Sequence, residues 1–331
     1  MTRAPAHAGR LRRPERLAFA LVVVLMAAFV VSLAVAATRA GAHALTGYRV
    51  PAGSREIRAG TTGSPADSAT VGAEQTARPD GSGPVGSADS RAAALDAALA
   101  SALRPLVLTH AGQFSVGVID ETTGSEALFR PGRSCPAASV LAGDILAALL
   151  YQHQVAATQL TVGEDDLAGR MIQTGSAAAA SRLWTSIGGG PGLAAANRAL
   201  RLTHTSPVKG RRWWLSRTTV SDQLQLLTDL TAARSVLGPS LRDYALGLMG
   251  DVIAADRWGV SAAADGGTGP AVIDGWLPRP RVADSIGVVQ RDGQVLLIAV
   301  LSTGGKSRAA AIALVRSAAL AAAAAITRPG L

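Results

Sequence analysis

Strand-forming residues in this chain fall into two groups, separated by a long stretch that reads almost wholly as helix. Before the gap, Phe114 to Ile119 and Glu126 to Phe129 are short strand candidates joined by the turn-forming Asp120-Glu121-Thr122-Thr123-Gly124-Ser125. After it, Pro270 to Asp274, Ala283 to Gln290 and Gln294 to Ser302 read as three more, the last two joined by the hairpin signal Asp292-Gly293. The intervening Ser139 to Met249 has helical periodicity, broken at Gly188-Gly189-Gly190-Pro191 and Gly238-Pro239. Helices close both ends of the series. Ser90 is an N-cap candidate for one running through Leu103 and stopping near Pro105, and Ser307 to Ile326 forms the other.

The N-terminal quarter has a different character. Leu17 to Ala37 is an uninterrupted apolar run, and at about 20 residues it is long enough to cross a bilayer core. The preceding arm, residues 1–16, carries Arg3, Arg10, Arg12, Arg13 and Arg16 against Glu15, so the positive-inside rule keeps it cytoplasmic and exports the remainder. The run exceeds the apolar core of a cleavable signal peptide, which favours a single-pass anchor in the plasma membrane with the N-terminus inside. Cleavage at Ala34-Val35-Ala36 or Ala42-His43-Ala44 would instead give a secreted product. Residues 38–89 read as a flexible linker rich in Gly, Ser, Pro and Ala, and residues 90–327 as the folded domain. The cytoplasmic arm accounts for +4 of the formal +9, and the +5 left outside if the anchor is retained suits an anionic wall or membrane surface, whereas no nucleic-acid-binding motif appears and nucleic acid is not expected as a partner. The single cysteine, Cys135, excludes an intramolecular disulfide, and no Cys/His cluster has metal-site spacing, so neither metal nor other cofactor is expected.

Three segments carry the chemistry. In Ala137-Ala138-Ser139-Val140-Leu141-Ala142-Gly143-Asp144-Ile145, a serine follows small residues and precedes apolar ones at helical spacing. Ser139 then lies in the first turn of a buried helix, where free N–H groups and the helix dipole favour negative charge. The second segment is Met171-Ile172-Gln173-Thr174-Gly175-Ser176-Ala177-Ala178-Ala179-Ala180, and the third Ala271-Val272-Ile273-Asp274-Gly275-Trp276-Leu277-Pro278. Taken in this order, they resemble the motif segments of the serine β-lactamase and D-alanyl-D-alanine peptidase superfamily, the penicillin-recognising serine hydrolases. Trp184-Thr185-Ser186-Ile187-Gly188-Gly189, Thr218 to Leu224 and Asp256-Arg257-Trp258-Gly259-Val260 are similar to stretches of exported actinobacterial β-lactamase-like proteins and support the same frame.

The resemblance implies Ser139 as nucleophile of a Ser-x-x-Lys motif, with Ala142 where the proton-accepting lysine stands. Gly175, Ser176 and Ala177 occupy the places of Ser-Asp-Asn, so two of the three lack a polar side chain; Ser176 is expected to make a local cap or turn bond. Ile273 stands for the carboxylate-binding lysine of Lys-Thr-Gly, Asp274 for the threonine, and Gly275 retains the glycine that lets backbone approach a ligand. The loop Pro207 to Arg217, where many β-lactamases carry the glutamate that activates water, has no carboxylate. Lys209 and Asp144 are the groups that could substitute as base, Asp144 requiring a partner or a proton if it is buried.

From about Ser90 to Ile326 the resemblance implies an α+β fold: a mostly antiparallel five-stranded sheet covered by the terminal helices, an all-helical lobe, and a cleft between them. With base, relay triplet and lysine all replaced, and such parts acting as a unit, the expected function is a membrane-tethered, catalytically degenerate domain. Its expected partners are peptidoglycan, as peptide or glycan, or an exported protein. The alternative is a weak serine hydrolase of β-lactamase or peptidase type, acylating through Ser139.

Overall fold

A computed structural model describes residues 85–110 and 114–327, with side chains from residue 89 onward. The arm, the apolar run Leu17 to Ala37 and nearly all of the linker lie outside the described residues. The first helix, α1 (Val85–Thr109), starts ahead of the expected cap at Ser90 and runs through Pro105. Proline removes one intrahelical hydrogen bond. Here Leu99 and Leu103 before it are fully buried, and Leu106 and Val107 after it also pack on the core, so burial on both sides carries the helix past the break.

Strands β1 (Phe114–Asp120) and β2 (Ser125–Phe129) form the first hairpin. The helical stretch follows as α2 (Leu141–Val155), α3 (Val162–Gln173), α4 (Ala177–Ser186), α5 (Gly189–Ala199), α6 (Val220–Thr231) and α7 (Pro239–Gly250). Two short strands carry no periodic signal in the sequence: β3 (Cys135–Pro136) pairs with β4 (Arg217–Thr218) and ties the lead-in of α2 to the loop before α6. Strands β5 (Ala271–Pro278), β6 (Arg281–Arg291) and β7 (Gln294–Thr303) and helix α8 (Arg308–Ile326) complete the domain.

The five longer strands make one antiparallel sheet in the order β2-β1-β7-β6-β5, so the two sequence-distant groups join where β1 pairs with β7. The β6–β7 turn behaves as its sequence predicts: Asp292 (φ 51°) and Gly293 (φ 76°) both take left-handed backbone, closing the register at Arg291 opposite Gln294. One face is covered by α1 and α8, which pack on each other and on the sheet. Both are long and apolar enough to cross a membrane, yet within the domain α8 buries Leu314, Val315, Ala318, Ala319 and Ala322. The other face receives α6 and α2. At Gly117 an added Cβ would lie 2.6 Å from Leu224 of α6, so this glycine admits the helix, while Ile273 and Ile286 reach Gly143 of α2. This is the α+β architecture that the segment order implied.

Candidate active site

Ser139 sits in a single 3₁₀ turn, Ala138–Val140, that runs directly into α2. The turn is entered through a strained residue: Ala138 is fully buried with φ 45°, in the left-handed region that non-glycine residues rarely adopt. Such strain persists only where surrounding contacts over-determine it. On one side Ala137 N–H donates to the Ser216 carbonyl at 2.7 Å and β3 is clamped by β4. On the other, β5 presses against the turn at Gly275, where a Cβ would stand 2.8 Å from the Ser139 nitrogen and 2.9 Å from that of Val140. Glycine is required there by close approach of backbone to backbone.

The Ser139 hydroxyl opens into a cavity of about 220 Å³ at the free edge of the sheet. Its walls are Met171, Ile172, Thr174 and Gly175 from the end of α3, Val252, Asp256 and Trp258 from the loop after α7, Ile273, Asp274 and Trp276 from β5, and Arg308 from the start of α8. Among the described residues no hydrogen bond reaches the Ser139 hydroxyl, and neither lysine nor histidine lines the cavity. Ala142 lies on α2 with 4% exposure, offering a methyl group.

The remaining motif positions have distinct fates. Gly175 takes φ 61°, and an added Cβ would lie 3.5 Å from the Asp256 carboxylate. Ser176 caps α4, its hydroxyl accepting from Ala179 N–H at 3.3 Å, and Ala177 is solvent-exposed outside the cavity wall. Ile273 is 5% exposed and turned toward Gly143 and the core. Asp274 lines the cavity, but its carboxylate is engaged: one oxygen accepts from Trp258 N–H and from Gly259 N–H at 2.8 Å, the other from the Ser285 hydroxyl. The Ser285 oxygen in turn accepts from Val260 N–H at 2.7 Å. Asp274 therefore staples the Trp258–Val260 loop to β5. Burial raises its pKa to about 6, against the lowering effect of these three donors.

Neither substitute base is brought to Ser139. Lys209 is exposed on the loop preceding β4, outside the cavity wall. Asp144 is fully buried and faces α6, where Gln223 Nε2 donates to it at 3.1 Å. Its pKa is pushed up to about 7 by burial, Gln223 opposing and the nearby Asp222 charge adding to the shift. Gln223 also donates to the Thr218 hydroxyl at 3.0 Å, and a buried chain continues through Thr205 to Asp222. Cys135, 1% exposed, has its thiol pKa pushed up to about 11 by burial, as fits a small core residue.

Asp256, Trp276 and Arg308 were not singled out in the sequence as site residues. The Asp256 carboxylate is half-buried and has no hydrogen-bond or ion-pair partner among the described residues. Trp276 adjoins Gly275 in the third motif segment, whereas Arg308 stands at the start of a helix and is delivered to the cavity by tertiary folding alone.

No family model and no curated protein matches the sequence. Solved structures do share the fold. A β-lactamase from Streptosporangium roseum superposes with a TM-score of 0.61 at 18% identity, over 70% of this chain and 98% of that one. A β-lactamase from Xanthomonas campestris pv. campestris gives 0.62 at 18%, over 70% and 98%. A representative of class A β-lactamase from Bacteroides cellulosilyticus gives 0.58 at 12%, again over 70% and 98%. The chain contains the whole of that fold and, at these identities, shares with them the fold alone.

Proposed function

We propose that this chain is an extracytoplasmic binding domain built on the serine β-lactamase fold, a non-hydrolytic module whose cleft at Ser139 engages cell-wall peptide or glycan, or an exported protein. The observation that carries this reading is the isolation of the Ser139 hydroxyl. An alcohol becomes a competent nucleophile when a neighbouring base takes its proton, and here the cavity wall supplies no lysine or histidine. The exported placement rests on the basic arm and the apolar run that follows it. Either a retained anchor or a cleaved leader fits it, and the size of the mature protein in the membrane and medium fractions distinguishes them.

A second reading, slow acylation through Ser139, is favoured by two features: the strained Ala138 next to the serine and the backbone approach of Gly275 to the Ser139 nitrogen. In that reading Asp256, a cavity-lining carboxylate without a partner among the described residues, would be the base that accepts the proton. A fluorescent penicillin decides between the two. Absence of covalent label at high protein concentration supports the binding module. Label that vanishes in Ser139→Ala and weakens in Asp256→Asn supports the hydrolase.

A further inference from the structure

A second concave surface lies on the helical lobe, away from Ser139. It is lined by Ser181, Arg182 and Thr185 of α4 together with Arg211 and Trp214 of the loop preceding β4, and encloses about 560 Å³. The loop reads Lys209-Gly210-Arg211-Arg212-Trp213-Trp214, a basic and aromatic stretch within an otherwise lysine-poor chain. Arg182, Lys209, Arg211 and Arg212 are all exposed, and no carboxylate pairs with any of them among the described residues. No Asp or Glu occurs anywhere in α4, or between Thr203 and Ser221, so each wall of the groove brings one arginine and no carboxylate of its own, Glu164 approaching α4 only at Ser186 outside the lining.

The surface is held rigid. Trp184 Nε1–H donates to the Gly210 carbonyl at 2.9 Å, and Trp213, 3% exposed, donates from its indole to the Ser181 hydroxyl at 3.1 Å. Trp214 stands edge-on to Trp213 with ring centroids 5.7 Å apart, which fixes its plane while leaving it half-exposed. Two guanidinium groups flanking one anchored indole are complementary to an anion and an adjoining flat or ring-shaped group. The hydrogen bonds preorganise the loop and the paired indoles, so the ordering cost of binding falls on the two exposed arginine side chains.

We propose that this groove binds a phosphate-bearing glycan polymer, with Arg182 and Arg211 taking a phosphodiester and Trp214 stacking on the neighbouring sugar ring. A nucleic acid is the weaker fit, because tracking a strand uses successive stacking platforms and the groove offers a single half-exposed indole. The site is separate from the Ser139 cleft, so it stands or falls independently of the reading above.

The test uses the detergent-solubilised full chain with purified poly(ribitol phosphate) carrying N-acetylglucosamine as probe. Saturable binding that weakens as salt is raised is expected. Arg182→Ala combined with Arg211→Ala should weaken binding about tenfold or more, and Trp214→Ala about tenfold, with the double arginine variant unchanged in melting temperature. Loss of the same charge elsewhere, in Arg198→Ala with Arg316→Ala, and loss of the hydroxyl in Ser139→Ala should leave binding intact. Three outcomes overturn the proposal: no binding at low salt, equal binding by the groove variants and the wild-type chain, or tighter binding of a single-stranded DNA oligonucleotide or of anionic phospholipid vesicles than of the polymer.

Discussion

Replacing Asp144 by asparagine should stabilise the domain, and by an amount that grows with pH. Asp144 is fully buried; one carboxylate oxygen accepts from Gln223, while the other, and the amide oxygen of Gln223, have no partner among the described residues. A charge in this position is opposed by desolvation, with native pKa about 7 against 3.8 for the free side chain. Because the native value is the higher one, the native state binds more protons than the unfolded chain throughout that interval. Stability is complete below pH 3.8, falls as pH rises toward 7 and is flat above it. At 1.36 kcal/mol per pH unit, the ionised carboxyl costs about 4 kcal/mol by pH 8. Asparagine keeps the shape, carries no charge and offers an N–H donor where two acceptors now face burial unpaired. Urea denaturation of wild type and Asp144→Asn, followed by far-ultraviolet circular dichroism from pH 4 to 8.5, should give nearly equal stabilities at pH 4. By pH 8 the variant should lead by several kcal/mol. A variant that is equal or weaker at pH 8, with the same pH slope as wild type, would refute the assignment of Asp144 as a desolvated acid.

Gly275→Ala should destabilise the domain by about 1–3 kcal/mol through overpacking, since the new methyl meets the Ser139 and Val140 nitrogens, and thermal denaturation measures it. Asp274→Ala should cost about 2–4 kcal/mol by leaving the Trp258 and Gly259 N–H groups without their acceptor, whereas Asp274→Asn should recover most of that loss. Hydrogen exchange in the 256–260 loop should rise in the alanine variant alone. Thr161 caps α3 in a reciprocal box with Glu164, and Thr161→Ala should cost about 1 kcal/mol in the same denaturation assay.

The architecture was readable from sequence because hydrophobic pattern and turn chemistry agree with the final packing at each decisive point. Asp292-Gly293 specified its hairpin, the small-residue lead-in placed Ser139 at the head of a buried helix, and the apolar strands β6 and β7 of the last third, buried on both faces, joined the sheet. What pattern could not supply were features set by tertiary contact. Pro105 reads locally as a stop, but the apolar residues on both sides of it are held by the core. The two-residue strands β3 and β4 are too short to leave a periodic signal. In the site, Ser139, Gly275 and Asp274 were legible as motif positions, while the tethering of Asp274 by a loop and a serine hydroxyl was not. Asp256 and Arg308 enter the cavity from segments distant in sequence; the Asp256 to Val260 stretch is legible only as support for the family frame, and nothing around Arg308 points to the cavity. In sequence the Pro207 to Arg217 loop is marked by its lack of a carboxylate, and its cations and indoles gain meaning only where α4 supplies the facing wall.

The left-handed twist at Ala138 separates two things that enzyme engineering usually has to obtain together. Bending a main chain into that shape and holding it there is the harder task, and here β5 and the β3–β4 clamp already perform it. On the non-hydrolytic reading proposed above, an attempt to install turnover on this scaffold would find the main-chain bend in place, with the side chains at Ala142 and Ile273, the left-handed position Gly175 and a carboxylate in the Pro207 to Arg217 loop still to be supplied.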